Sequence, residues 1–233
     1  MEQMPASSTN RVGQLLRTLF PEITHYEVDL ASAERLLDTT DLEPLVFWGA
    51  RPRLDANKEN RGLRIKKIMD LMAASIEHNM REFLSEDEIA AARESMGVDK
   101  TLIADQTYFV IETDVGGAPV MVACGGWGKR RTLFGGDATS GRDDSLSDPA
   151  IHAARIRAMY THPDWIRKGL GTLLLTLGEN AAREAGFKTI ELGSTVPGEP
   201  LYKVRGYEAF HTEERLGANG RPSTIIHMRK SLV

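Results

Sequence analysis

The sequence predicts an α/β protein, with helices and strands combined as in the α+β arrangement. Three observations carry this expectation. Between Leu63 and Phe83 the apolar residues recur at helical spacing. From Thr107 onward the apolar period drops to two. Glycine is sparse before position 116, where only Gly13, Gly49, Gly62 and Gly97 occur, and then crowds into the stretch from Gly116 to Gly220. A helical first half therefore precedes a strand-rich second half that holds the turns and ligand loops.

Within residues 1–60, Leu15, Leu16, Leu19 and Phe20 read as a short helix and His25 to Leu30 as a strand, while Leu45 to Trp48 are too apolar to remain solvated. This stretch is set apart as an N-terminal extension, and 61–233 as the main domain. Ile65, Ile68, Met69, Met72, Ile76, Met80 and Phe83 follow three-and-four spacing and predict an amphipathic helix. Ser85 and Glu88 form a capping-box pattern ahead of a second helix, Ile89 to Met96, which Gly97 stops. Thr107 to Glu112 and Val120 to Cys124, joined through Gly116, Gly117 and Pro119, predict an antiparallel hairpin. The glycine-rich, polar stretch from Gly135 to Ser147 reads as a loop. Ala154 to Tyr160 alternates Ile156, Ala158 and Tyr160 against Arg155, Arg157 and Met159, a strand again. A helix from Gly171 to Ala185 ends at Gly186, Thr189 to Leu192 is a short strand, and Tyr207 to Thr212 and Thr224 to Met228 are two further strands around a turn at Gly217 to Pro222.

The chain has 233 residues, 41% hydrophobic and 27% charged, with 33 acidic against 29 basic side chains and a net charge of -4. That is a globular composition with enough apolar material for a sizeable core. The negative charge argues against general affinity for nucleic acid or an acidic membrane. Cys124 is the single cysteine, which excludes a disulfide framework and a multi-cysteine zinc site. It lies in an apolar strand and reads as a buried small hydrophobe rather than a nucleophile. No histidine has an HExxH-type partner, and His162 before Pro163 fits a turn, so no metal is expected. The N-terminal residues lack a signal-peptide pattern and no run of about 18 apolar residues occurs. A cytoplasmic protein is expected, with neither nucleic-acid nor membrane partner.

The informative segment runs from Met159 to Thr172, where a strand passes into a helix through Arg167, Lys168, Gly169 and Gly171. Free N–H groups at a helix start, the positive end of the helix dipole and glycines that admit a ligand to the main chain form a phosphate site. A glycine turn before a surface helix with solvated Arg and Lys is the alternative. A P-loop is excluded: the only Gly-Lys pair, Gly128-Lys129, has Ala123 in place of the first glycine and Arg130 in place of the hydroxyl residue. A Rossmann turn is disfavoured, since Leu174 replaces its third glycine and Pro163 ends the strand too early, although Glu191 stands about 20 residues on.

The same segment, Ile166-Arg-Lys-Gly169-Leu-Gly171, resembles the acyl-CoA-binding motif (Q/R)xxGx(G/A) of the GNAT N-acetyltransferases, with Ile166 in place of the usual first residue. Gly198 to Tyr207 is similar to the family's xLYxxxGF stretch, Met228 to Leu232 to its last strand, and Cys124-Gly-Gly-Trp127 with Arg130 and Arg131 to a bacterial branch of mostly unassigned substrate. The resemblance spans about Ile65 to Leu232. It implies a mixed, mostly antiparallel sheet of six or seven strands with helices on both faces, two of whose strands splay to admit the pantetheine arm of acetyl-CoA. By position, Met159, Tyr160 and Thr161 are implied to meet that arm with their main chain. Arg167, Lys168, Gly169, Leu170, Gly171 and Thr172 are implied to hold the pyrophosphate, and Thr195 to lie near the arm.

The resemblance implies acetyl transfer to a primary amine of an unidentified small-molecule or peptide acceptor, with Tyr202 as the acid for the departing thiolate. No base is assigned: Glu112 and Glu191 lie in strands, where a carboxylate could drain a proton through water, but each reads first as a surface or salt-bridged residue. Arg155 and Arg157, with Arg130 and Arg131, read either as a greeting for an anionic acceptor or as paired cations. A homodimer is left open, and a CoA-binding sensor that keeps the fold without turnover is the alternative function.

Overall fold

Apolar residues that alternate in and out, or recur every third and fourth position, leave each element with one face to bury. The computed structural model describes residues 46–49, 58–95, 97–115, 118–134, 142–216 and 222–233. In chain order it contains β1 (Val46–Gly49), α1 (Lys58–Asn79), α2 (Glu86–Ser95), α3 (Lys100–Ala104), β2 (Tyr108–Val115), β3 (Ala118–Gly128) and β4 (Ala154–Thr161). Then follow α4 (Leu170–Glu184), β5 (Thr189–Ser194), α5 (Glu199–Val204), β6 (Glu208–Leu216) and β7 (Pro222–Ser231). Among the described residues the strands form one seven-stranded sheet in the order β1-β2-β3-β4-β5-β7-β6. Every neighbouring pair is antiparallel except β4 and β5.

Two apolar layers cover the sheet. On one face α4 lays Leu170, Leu174 and Leu177 against Ile111, Val122, Ile156, Ile190 and Met228. On the other, Ile68, Met72 and Ile76 of α1 and Ile89 of α2 cover Tyr108, Val110, Met121 and Cys124. The expected mixed sheet with helices on both faces is thus observed. The capping box is present as drawn from the sequence: Ser85 N–H donates to Glu88 Oε2 at 2.7 Å, and Glu88 N–H to Ser85 Oγ at 3.4 Å.

Several details differ from the sequence expectation. The first long helix ends at Asn79 rather than Phe83, and Met69, expected on its apolar face, is 56% exposed. The hairpin strands are longer than expected, because main-chain pairing continues past the apolar stretch. The short helix α3, capped by the Asp99 carboxylate on the N–H groups of Thr101 and Leu102, has too few residues to show a period. β1 pairs with β2 and the first turn of α1 begins at Lys58, so both fall within the stretch 1–60. The expected helix at Leu15 to Phe20 and strand at His25 to Leu30 lie outside the described residues.

The Cys-Gly-Gly-Trp run has a steric reason. A β-carbon on Gly126 would sit 2.4 Å from Thr107 O and 3.1 Å from Tyr108 Cα, so β2 and β3 meet there only because the side chain is missing. Gly126→Ala is expected to cost about 1–3 kcal/mol through this backbone clash, which lowers the melting temperature by roughly 2–12 °C for a chain of this size. Gly97→Ala, where nothing lies within 4 Å of the added atom, is the control and should melt as the wild type does. Equal melting of both variants would contradict the packing argument.

Candidate functional site

The β4–β5 join is two residue pairs long, Ala154 with Ile190 and Arg155 with Glu191. Beyond it β4 continues to Thr161 along β3, and β5 continues to Ser194 along β7, so an opening separates them. β4 is bulged beside the join: Gly126 faces Arg157 and Cys124 faces Tyr160, so Gly125 alone spans Ala158 and Met159, and Ala158 has φ 54°. An extra residue of this kind bends a strand and increases its twist.

The hydrogen bond from His162 N–H to Val122 O, 2.8 Å, sets the alternation along the far half of β4. Tyr160, two residues back, points its N–H and C=O at β3. Those of Met159 and Thr161 point to the opening. Of the three residues expected along the arm, two therefore present main chain there, and Tyr160 does not. Its side chain is buried on the α1 face with Tyr108 and Cys124.

From Thr161 the chain passes through a 3₁₀ turn, Pro163–Trp165, with His162 Nδ1 accepting from Asp164 N–H at 3.2 Å. Arg167 takes φ 59° and Gly169 φ 80°, and α4 starts at Leu170 without a side-chain cap. The first N–H groups of the helix are thus left to a ligand or to water. Arg167 is exposed, and Lys168 holds its ammonium 4.3 Å from the centre of the Trp165 ring. Leu170 is buried in the core, so it can offer main chain only.

The turn and Tyr202 are packed together. A β-carbon on Gly171 would lie 2.9 Å from Leu201 Cδ2, which sets the start of α4 against α5. A β-carbon on Gly198 would lie 3.2 Å from Tyr202 Cε2 and 3.4 Å from Thr195 Oγ1. Tyr202 and Thr195 therefore share the C-terminal end of β5. The Tyr202 ring meets Tyr207 edge-on at 5.8 Å, and burial pushes its phenol up to about 12.

The cationic side chains are engaged. Arg155 pairs with Glu191, which also meets Arg229 at 3.5 Å. Arg157 holds Asp99 at 2.6 Å, Arg130 binds Asp105 at 2.6 Å, and Arg131 lies 3.7 Å from Asp143. Of the two readings of these arginines, paired cations is the one the geometry gives. Glu112 is tied to Arg64 at 3.2 Å and stands opposite Met121, away from the join. Cys124 is fully buried as expected; it accepts from Tyr108 Oη at 3.1 Å, and burial pushes the thiol up to about 12. Asn79, from the end of α1, donates to Thr161 O at 2.9 Å across 82 positions of chain, and no local pattern in the sequence marks it.

The same fold is found in solved structures. A GCN5-related N-acetyltransferase from Rhodopseudomonas palustris aligns at a TM-score of 0.53 and 17% identity, over 82% of this chain and 98% of that one. The yncA protein of Salmonella typhimurium, solved with its cofactor acetyl-CoA, aligns at a TM-score of 0.48 and 16% identity over 82% and 95%. The paia N-acetyltransferase of Thermoplasma acidophilum, in complex with coenzyme A, aligns at 0.46 and 11% over 72% and 92%. Residues 104–209 match the family model of the acetyltransferase (GNAT) domain. Residues 104–209 thus carry a GNAT acetyltransferase domain, and the likeness to the Rhodopseudomonas palustris structure shows the fold. No curated protein matches it. No described helix is long and apolar enough to cross a membrane.

The buried phenols predict an alkaline limit to stability. Burial raises Tyr108, Tyr160, Tyr202 and Tyr207 above the usual tyrosine value, with Cys124 adding to the first two and Glu179 to the last. Above about pH 10 the unfolded chain releases phenolic protons that the native one keeps, so the stabilisation is full below that pH and lost as pH rises. The urea midpoint is expected to be level from about pH 8 to 9.5 and to fall above about 10.5. A midpoint unchanged to about pH 12 would contradict the burial of these hydroxyls.

Proposed function

We propose that the protein transfers an acetyl group from acetyl-CoA to a primary amine in a ternary complex. The observation that carries this reading is the divergence of β4 from β5 immediately before a glycine turn at a helix start. An open strand edge is a template for an extended chain of amides, and the turn beside it suits a pyrophosphate. Met159 and Thr161 offer main-chain groups to the arm, and Tyr160 lines the same strand. Arg167, Lys168 and the N–H groups from Gly169 to Thr172 take the pyrophosphate, with Thr195 across the opening. A cytoplasmic location, where acetyl-CoA is available, belongs to the same reading.

The amine attacks as its neutral form, a minority species for an amine of pKa about 10. Its nitrogen bonds to the acetyl carbon, the C–S bond breaks, the surplus proton on nitrogen leaves through water, and the sulfur is protonated by way of Tyr202. Burial keeps the Tyr202 hydroxyl protonated, so it is a donor throughout neutral pH. A thiol near the reference value of about 8.5 is the stronger acid, so hydrogen-bond donation to the developing thiolate contributes more than complete proton transfer. Glu191, already between two guanidinium groups, is given no role as base.

Thiol release from acetyl-CoA across a panel of polyamines, amino acids, aminoglycosides and peptides tests the activity. Release that never depends on an added amine would refute it. Tyr202→Phe is expected to lower kcat about 10²-fold with acetyl-CoA affinity unchanged, because the ring still packs on Tyr207 while the donor is gone. A change within about threefold, with chemistry rate-limiting, would assign Tyr202 to structure.

Gly171→Asp is expected to weaken acetyl-CoA binding by at least about tenfold, as it places a negative charge among the N–H groups at the start of α4. Calorimetry on the folded variant, with Gly171→Ala as the control that only displaces Leu201, distinguishes charge from bulk. Equal affinity of Gly171→Asp and wild type would move the pyrophosphate elsewhere.

A further inference from the structure

The opening between β4 and β5 is approached from α1 as well as from α4. Asn79, the last residue of α1, gives one amide hydrogen to Thr161 O at 2.9 Å and one to Ser75 Oγ at 3.1 Å. A carbonyl can only accept, so the bond to Thr161 decides which end of the side-chain amide is nitrogen. Both amide hydrogens are engaged, and Oδ1 has no hydrogen-bond partner among the described residues. Asn79 is half-buried, whereas Ser75 beneath it is buried and buttresses it.

Thr161 O belongs to the strand edge that faces the opening, and a carbonyl oxygen has two lone pairs, of which Asn79 takes one. The second lone pair and the neighbouring Asn79 Oδ1 make this end of the opening a pair of acceptors. It calls for a ligand segment with N–H or O–H donors. Thr161 is the last residue of β4, on the side of the glycine turn, while the join at Arg155 and Glu191 lies at the other end of the opening. An acyl-CoA with its pyrophosphate at the turn passes the outer half of its arm here. The thioester, where the acceptor amine must arrive, lies further in.

We propose that Asn79 is a binding residue for the outer half of the acyl-CoA arm, its Oδ1 accepting from an amide N–H or the hydroxyl of the pantetheine portion. The inference rests on the acetyl-CoA reading above. Asn79 then has two linked tasks. Its nitrogen holds the edge carbonyl of Thr161 in place, and its oxygen adds an acceptor that β4 by itself does not supply.

The test compares two ligands by calorimetry: acetyl-CoA, and 3′-phosphoadenosine 5′-diphosphate, which has the nucleotide and pyrophosphate but no arm. Asn79→Ala and the near-isosteric Asn79→Leu are expected to weaken acetyl-CoA roughly three- to tenfold, the equivalent of one neutral hydrogen bond. Both should bind the arm-less nucleotide within about twofold of wild type. If both variants bind acetyl-CoA as the wild type does, Asn79 is no arm residue and the acetyl-CoA reading stands without it. Parallel weakening of both ligands would mean that Asn79 only supports the fold, which also overturns the proposal. A wild-type protein that binds no acetyl-CoA would overturn this inference together with the reading beneath it.

Discussion

Two residue pairs hold the halves of this sheet together, and the rest of the molecule is arranged around their shortness. Ala154 with Ile190 and Arg155 with Glu191 are the whole of the β4–β5 strand pairing. The bulge at Ala158 turns β4 aside directly after it, and the glycines opposite give that bulge room: a β-carbon on Gly125 would lie 2.5 Å from Met159 Sδ. The ion pair of Arg155 and Glu191, reinforced by Arg229, sits on the last shared pair and so marks where sheet ends and opening begins. A fully paired sheet would satisfy its own main chain. This one leaves the facing edges of β4 and β5 unpaired beyond the join.

Placement of charge follows from the same geometry. The arginines near the join are matched by carboxylates, and Arg157, almost wholly buried, is held by an Asp99 that also caps α3. Removing one member of such a buried pair costs about 3–5 kcal/mol, so these residues answer first to folding. Around the opening stand groups that need no counter-ion, namely main-chain N–H and C=O, the uncapped start of α4 and a phenol kept neutral by burial, while Arg167 and Lys168 keep their charge at the turn. Such groups are preorganised, because the strands and helices that carry them are fixed by the two apolar layers.

Much of the fold was legible. The period of three and four from Ile65 to Ile76, the capping box at Ser85 and Glu88, the period of two in β2 and β3, and the glycine at the end of α4 each act within a few residues of chain. Short elements were not. α3 is five residues long and α5 six, less than two turns, so neither displays a face. The glycine turn and Tyr202 were legible as a pattern of residues, but the packing of the turn on Leu201 beside Tyr202 was not, since it depends on two helices meeting.

By itself the sequence determined the local order of elements, the residues that form each apolar face, and the chemical types present at the strand-to-helix turn, because these depend on spacing and on side chains alone. Only the tertiary structure decided where β4 leaves β5, that Tyr160 turns its main chain to β3 while Met159 and Thr161 face the opening, that the arginines are paired, and that Asn79 reaches Thr161 across 82 positions. Pairing register and contacts between distant elements are set by how whole faces pack, and a residue carries no mark in the sequence of the partner that packing will bring to it.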